Sequence, residues 1–499
     1  MKHALLWSSA RAKSWASRIS FASVAPLADF GGRFLRMMLL SRLLVPVEFG
    51  TSVALTVVLS SVFLVTDVGL DRFVLLNRGE HGRSALAAAH FVQISRGVVM
   101  ALVVIALAGP IAGLFGVPAA ADSFRWGALM PLIHGFAHLG PKQAQQHYNF
   151  RQDAIATSIA SAVSLAVALP AAWLCRDHNA ILYSLVVGES AFVLATHLVA
   201  DRAYEVSWDR KTIAEALGYG LPLMVNGIGL AIMAQADRFL VGATLGVATL
   251  GVYSVILSLS ITAMSPFYSI FSSIGVSVVA KNRSEPGRFG AVLLAMIWGF
   301  GLFGFSYAAF TGLTLDFLAP KLFGERYVVD VSVRCIVTMI VFLRIIRGPA
   351  SVVLLVDGST RRLASANLVA GAGLACAFLF VQAVPTLGAV VLGVLIGDLF
   401  SLGLFQRFLL RAAPGLSRPI MSVLAFELAA VTGLLAALWT ADAATLGVRV
   451  LIGLACGCLA AWMAWRVRTA ARDSMSPVDA TASCSAVRPM EAYANGRDI

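Results

Sequence analysis

Gly97–Ala121, Phe239–Ala280, Phe289–Leu315 and Leu363–Gly397 each run on without one charged side chain. A helix needs about 20 mostly apolar residues to cross the hydrocarbon core of a bilayer. Runs of this length, repeated along one chain, constrain it to a membrane interior. Composition agrees: 59% of the 499 residues are apolar and only 13% are charged, about half the charged share of a soluble domain. Too few polar residues remain to coat soluble domains, and disorder needs the opposite balance. A mean hydropathy of +0.83 and 43 glycines point the same way, since glycine lets membrane helices pack closely. The alternating ten-residue pattern of a membrane β-barrel is absent. The predicted class is an all-α polytopic membrane protein.

Cutting the apolar stretches at Gly and Pro turns predicts about fourteen helices, near 20–43, 50–70, 88–109, 124–142, 154–174, 180–200, 218–242, 250–276, 289–315, 331–356, 362–382, 387–410, 420–439 and 446–466. The basic start (Lys2, Arg11, Lys13, Arg18) leads into a run that already holds Asp29, Arg33 and Arg36. A cleavable signal would not tolerate them, so the first helix is expected to stay as an anchor. With the N-terminus inside, the inner segments carry about 25 Lys and Arg against about 6 outside. The positive-inside rule then puts both termini in the cytoplasm. It also accounts for the net charge of +12 without nucleic acid. Six cysteines show no zinc or disulfide spacing and read as small apolar fillers. No metal or cofactor is expected.

Self-comparison reveals a repeat. Leu44–Gly50 resembles Leu245–Gly251, and His81-Gly-Arg83 falls on Asn282-Arg-Ser284. Gly140-Pro141 matches Gly348-Pro349, and Leu185–Glu189 matches Val394–Asp398, with the offset drifting only from 201 to 209. Two six-helix halves that enter from the same side follow, as parallel repeats of the kind secondary transporters use. The expected organisation is an N-lobe of helices 1–6 (1–200), a cytoplasmic linker (201–217), a C-lobe of helices 7–12 (218–411), two extra helices (412–466) and a polar cytoplasmic tail (467–499).

Charges at membrane depth cost roughly 2.5–3.5 kcal/mol each on insertion scales, so they mark partners or cavities. Asp29, Arg33 and Arg36 share one face of helix 1. Arg96 sits in helix 3, and His134, His138 and Lys142 in helix 4. Arg344 and Arg347 lie a turn apart in helix 10. Asn226 and Asp237 share a face of helix 7, and Glu189 and Asp398 are repeat-related acids of helices 6 and 12. Each has two readings. Arg33 and Arg36 either pair with Asp29 in packing or face a cavity; Arg344, Arg347 and Lys142 either snorkel or bind. His134 and His138 have metal-compatible spacing, but with no nearby carboxylate or cysteine they read as hydrogen-bonding or cavity-lining groups. Asp237 beside Arg238 reads equally as an interfacial pair, and Glu189 and Asp398 as packing or capping acids. The set is biased toward arginine and lysine. A cationic cavity suits an anion, and arginine's planar fork suits phosphate. Arg33, Arg36, Arg96, Lys142, Arg344 and Arg347 are therefore candidate substrate ligands. Asp29, Asn226, Asp237, Glu189 and Asp398 are candidates for ion coupling or gating. There is no Walker A loop and no hydrolase or zincin motif, and no loop is long enough for a catalytic domain. The chain reads as a transporter rather than an enzyme.

Arg33-Phe-Leu-Arg36, Ser41–Gly50 and Asp67-Val-Gly-Leu70 resemble the start of Wzx-type polysaccharide repeat-unit flippases, in the multidrug/oligosaccharidyl-lipid/polysaccharide exporter superfamily. Gly220-Leu-Pro222, Asp237–Gly242 and Leu250–Tyr253 resemble that family's helices 7 and 8. The likeness covers about residues 20–410. It implies a two-lobe bundle that alternates access across the bacterial inner membrane. It also implies an undecaprenyl-pyrophosphate-linked oligosaccharide as substrate, moved to the periplasmic leaflet for exopolysaccharide or lipopolysaccharide O-antigen assembly. A polymerase and a chain-length regulator are the partners it implies. Family members hold the pyrophosphate with cationic N-lobe residues, and Arg33, Arg36 and Arg96 are best placed for that here. Many members have twelve helices; the extra pair is similar to that of lipid II flippases, and helix 13 carries Glu427. The rivals are a cation-coupled multidrug antiporter of the same superfamily and a membrane polysaccharide polymerase, which would need a long periplasmic loop.

Overall fold

The computed structural model describes residues 24–440 and 446–475, and all regular structure among them is helical. The basic start and the tail beyond residue 475 lie outside the described residues. Helix α1 occupies 24–43, followed by α2 (Pro46–Val65), α3 (Leu70–Leu76) and the long α4 (Gly79–Leu114). Three short pieces come next: α5 (Ala121–Trp126), α6 (Leu129–His134) and α7 (Gly140–Ala144). Then follow α8 (Arg151–Cys175), α9 (Asn179–Val199), α10 (Arg210–Leu245), α11 (Val247–Leu257), α12 (Ala263–Asn282) and α13 (Pro286–Phe323). The chain continues through α14 (Val331–Ile346), α15 (Gly348–Val356), α16 (Thr360–Ala383), α17 (Leu387–Ala412), α18 (Ser417–Thr440) and α19 (Leu446–Met475).

Twelve helical stretches among the described residues are long and apolar enough to cross a membrane. The expected count was fourteen, and the two others differ for physical reasons. Helix α1 forms, but Asp29, Arg33, Arg36 and Arg42 crowd its length. The segment expected as helix 4 is not continuous: Pro131 cannot donate to the preceding turn, and Gly127, Gly135 and Gly140-Pro141 interrupt the rest. One π-helical turn, Ser258–Thr262, joins α11 to α12, and the Thr262 carbonyl, which loses the amide that Pro266 lacks, accepts from the Ser265 hydroxyl at 2.8 Å. The Ser260 carbonyl accepts from the Tyr307 hydroxyl at 2.8 Å.

The chain divides into two compact units. One runs to Ser254 and includes Leu322–Arg326; the other takes Val255–Lys321 and continues from Tyr327. Helix α10, expected in the C-lobe, thus groups with the first unit here. Glycine explains its approach: a methyl at Gly220 would sit 2.4 Å from the Val68 carbonyl oxygen, and one at Gly227 would sit 2.3 Å from that of Leu64.

The repeat has a counterpart in packing. In the first unit α8 and α9 meet through Ser164, Ser184 and Gly188; a Gly188 methyl would sit 2.6 Å from the Ser164 Cβ. In the second unit α16 and α17 meet through Gly373, Gly393 and Gly397. Each of the three positions is displaced by the same 209 residues. Gly140-Pro141 opens α7, and its match Gly348-Pro349 opens α15. Small residues carry close contact between membrane helices. A methyl at Gly393 would sit 2.2 Å from the Ala377 amide nitrogen. Gly393→Val is therefore expected to cost about 1–3 kcal/mol or more by overpacking. Gly403→Ala, with open space around it, should cost little. Thermal unfolding of the two purified variants measures the difference.

Candidate substrate site

In the first unit α1 presents Arg33 and Arg36 one turn apart. Arg33 binds Asp29 through two bonds, Nε to Oδ1 at 2.7 Å and Nη2 to Oδ2 at 2.5 Å, and both side chains are exposed. Gly32 lets α1 sit on α8, where a methyl would lie 2.9 Å from the Ser161 Cβ. On that side Arg36 is half-buried and its Nη1 donates to the Ser164 hydroxyl at 2.5 Å. Ser164 and Ser184 bond each other's carbonyls, which fixes that hydroxyl. Among the described residues no carboxylate lies within ion-pair distance of Arg36. Its remaining N–H groups can donate to an anion.

The other two candidate cations of this unit, Arg96 and Lys142, hold protein groups. Arg96 donates to the Phe63 carbonyl at 3.1 Å and to Thr66 Oγ1 at 3.3 Å, where α2 ends. Lys142 lies 2.9 Å from Asp153 and 3.8 Å from Asp71, tying α7 to α8 and α3. Glu189 pairs with His134 at 2.7 Å, and that imidazole stacks on Phe192. Asp237 accepts from the Tyr253 hydroxyl at 2.7 Å and from the Arg238 amide at 2.8 Å. Asn226 lies on α10, and its side chain is outside the described residues.

His138 turns elsewhere than His134. Its Nδ1 accepts from the Gly140 amide and its Nε2 meets the Arg202 carbonyl at 3.0 Å. His90 likewise accepts from the Leu139 amide and meets the Glu205 carbonyl at 2.8 Å. One ring nitrogen of each must accept, so both imidazoles are neutral donors to the segment expected as the linker. Tyr204 sits among His90, His138 and His197, and Arg83 forks onto Glu205. The Arg83 hydrogen bond holds the Glu205 carboxyl below its usual value. Its contribution is therefore complete at neutral pH and is lost as pH falls.

In the second unit Arg344 and Arg347 do share one ligand, Asp398. Arg344 Nε lies 2.9 Å from Oδ2, Arg347 Nη1 lies 3.3 Å from Oδ1, and the carboxylate is only 2% exposed. Arg347 also lies over the Phe405 ring. The repeat-related acids Glu189 and Asp398 thus each bind bases from the segment before. Other pairs escaped the sequence reading because their partners are far apart in the chain. Asp316 bridges Arg334 and Arg449, Arg283 forks onto Asp357 at 2.8 and 2.9 Å, and Glu48 binds His178 at 2.6 Å. No signal short of contact information would have joined them.

A family model for "Polysaccharide biosynthesis protein" matches residues 39–332. The chain belongs to that family. A curated relative, the succinoglycan biosynthesis transport protein ExoT of Rhizobium meliloti (strain 1021), is 24% identical over 245 residues. That match covers 49% of this chain and 49% of the relative, so about half of each length is compared. Among solved structures, the lipid II flippase MurJ in an inward closed conformation superposes with a TM-score of 0.67 at 12% identity, covering 90% of this chain and all of that one. An inward-facing multidrug resistance MATE transporter of the same superfamily gives 0.62 at 15% identity, covering 81% and 98%. The fold is therefore the helical fold of these two solved structures, in a multi-pass membrane protein.

Proposed function

We propose that this family member carries a polyprenyl-diphosphate-linked oligosaccharide, built on undecaprenyl, from the cytoplasmic to the periplasmic leaflet of a bacterial inner membrane. Alternating access moves it, and the transfer feeds exopolysaccharide assembly. The observation that carries this reading is Arg36: a half-buried guanidinium on α1 that bonds a serine hydroxyl and, among the described residues, no carboxylate. Arg33 lies beside it, exposed, and its one partner among the described residues is Asp29. A diphosphate enters the bilayer only if its charge is compensated along the way, and each bond to a charged group contributes roughly 1.5–3 kcal/mol. Two arginines can hold such a head group and still release it. The likeness to a succinoglycan transport protein favours exopolysaccharide over O-antigen. The MATE-like fold keeps a cation-coupled drug antiporter as the second reading.

A strain lacking the gene tests this. It should accumulate lipid-linked repeat units in the inner leaflet and make no polymer, and the wild-type copy should restore both. Rescue of dye-sensitive cells instead, with normal polymer in the deletion strain, would favour the antiporter. For orientation, reporters fused after Asp442 should behave as periplasmic and those after Arg472 as cytoplasmic. The reverse pattern would overturn the assignment of both termini to the cytoplasm.

A further inference from the structure

The second unit buries a carboxyl that the transport reading does not use. Glu427, on α18, is 1% exposed, and its Oε1 has no hydrogen-bond partner among the described residues. It lies directly on α13: a methyl at Gly301 would sit 1.9 Å from Glu427 Oε1. This contact belongs to a register. Gly290 meets Leu416, Gly301 meets Glu427 and Gly312 meets Leu438, each pair eleven residues beyond the last. Eleven residues are about three helical turns, so one glycine face of α13 runs parallel to one face of α18. Of the three residues that meet these glycines, Leu416 just before α18 and Leu438 on it are leucines, and the one between them is the acid.

The walls are apolar. Leu293, Ile297, Trp298, Val423, Leu424 and Val431 belong to one buried cluster around this seam. The charged groups on the neighbouring elements have other partners. On α14, Arg344 and Arg347 hold Asp398, and Arg334 binds Asp316. On α19, Arg449 binds Asp316, while Arg466 lies over the Trp298 and Trp462 rings at 5.4 and 5.7 Å. Cys456, Cys458 and Arg468 are the remaining titratable groups among the described side chains of α19, and Arg418 is on α18 itself, nine residues before Glu427. None of these bonds the carboxyl.

An ionised carboxylate without a partner is far too costly in such surroundings, and the group neutralises instead. We propose that Glu427 is a proton-binding site, occupied while α18 packs on α13 and emptied when the two helices part and water reaches the acid. The bound species is the carboxylic acid, and the glycine at 301 is what leaves room for it. Proton occupancy and seating of α18 are then two sides of one equilibrium. This proposal stands whether or not the cargo is a lipid-linked glycan.

The test uses the purified full-length protein. The packed state holds a proton that the open state releases above the ordinary carboxyl range. Stability must therefore fall as pH rises, by up to about tenfold in the unfolding constant per pH unit. The wild type should have a lower thermal midpoint at pH 8.5 than at pH 6.5. Glu427→Gln, which keeps the shape of the neutral acid, should fold and lose that part of the difference. Equal pH dependence in wild type and Glu427→Gln would overturn the proposal. A second reading uses dicyclohexylcarbodiimide, an apolar reagent that adds a protonated carboxyl across its C=N bond and leaves a stable N-acylurea. Peptide mapping should find the adduct on Glu427 at pH 7 and no adduct in Glu427→Gln. Reaction at Glu427 only below about pH 5, as for an ordinary exposed carboxyl, would contradict it.

Discussion

Arg36→Lys should cut polymer export at least tenfold in a strain lacking the chromosomal copy, with the membrane level of the protein unchanged. Lysine keeps the charge but loses the planar fork that grips two phosphate oxygens at once. Loss of a single charge-assisted bond of roughly 1.5–3 kcal/mol already reaches tenfold. Arg36→Ala should lose at least as much. Asp29→Asn supplies the contrast. The Arg33–Asp29 pair is exposed, and such pairs contribute about 0–1 kcal/mol. That change should leave the protein level normal while freeing Arg33. If Arg33→Ala, Arg36→Ala and the double variant all export polymer at normal rates, the arginines are packing elements of α1.

Asp398→Ala should be among the most destabilising single changes in the second unit. Its carboxylate is 2% exposed and faces both Arg344 and Arg347. Removing it leaves two partly buried cations without their counter-charge, and breaking such a buried pair costs about 3–5 kcal/mol. Arg344→Ala should cost less, because Arg347 still compensates the carboxylate. The measurement is the fraction of each variant recovered as monodisperse protein in detergent, followed by its thermal midpoint. Equal behaviour of Asp398→Ala and Arg344→Ala would contradict this account.

These cases separate what the chain declares from what only folding joins. The apolar runs and the drifting repeat offset foretold the helical class. The repeat then reappeared in packing, at Ser164, Ser184 and Gly188 against Gly373, Gly393 and Gly397. Only Gly188 and Gly397 lie in a matched stretch, Leu185–Glu189 and Val394–Asp398, and close helix contact demands small residues there. The face shared by Asp29, Arg33 and Arg36 was legible from the helical period. Pairing across helices was not. Nothing local links His134 to Glu189, Arg344 to Asp398, or Lys142 to Asp153. Arg96, a candidate substrate ligand, holds the carbonyl of Phe63 where α2 ends, a bond that no side-chain pattern announces. The fragmentation of the fourth predicted helix was written in Pro131 and Gly140-Pro141, but hydropathy alone outweighed them. The segment 201–217 reads as a linker because it is polar; its first half is held by the His90 and His138 rings on the Glu205 and Arg202 carbonyls.

The most direct test places the purified protein in vesicles with a fluorescent polyprenyl-diphosphate-linked glycan and follows its accessibility to a reagent confined outside. Wild type should transfer the lipid between leaflets well above protein-free vesicles, and Arg36→Ala should transfer it at least tenfold more slowly. Transfer by wild type no faster than in empty vesicles, or equal rates for wild type and Arg36→Ala, would contradict the claim that this chain moves a diphosphate-linked lipid with Arg36 as its ligand.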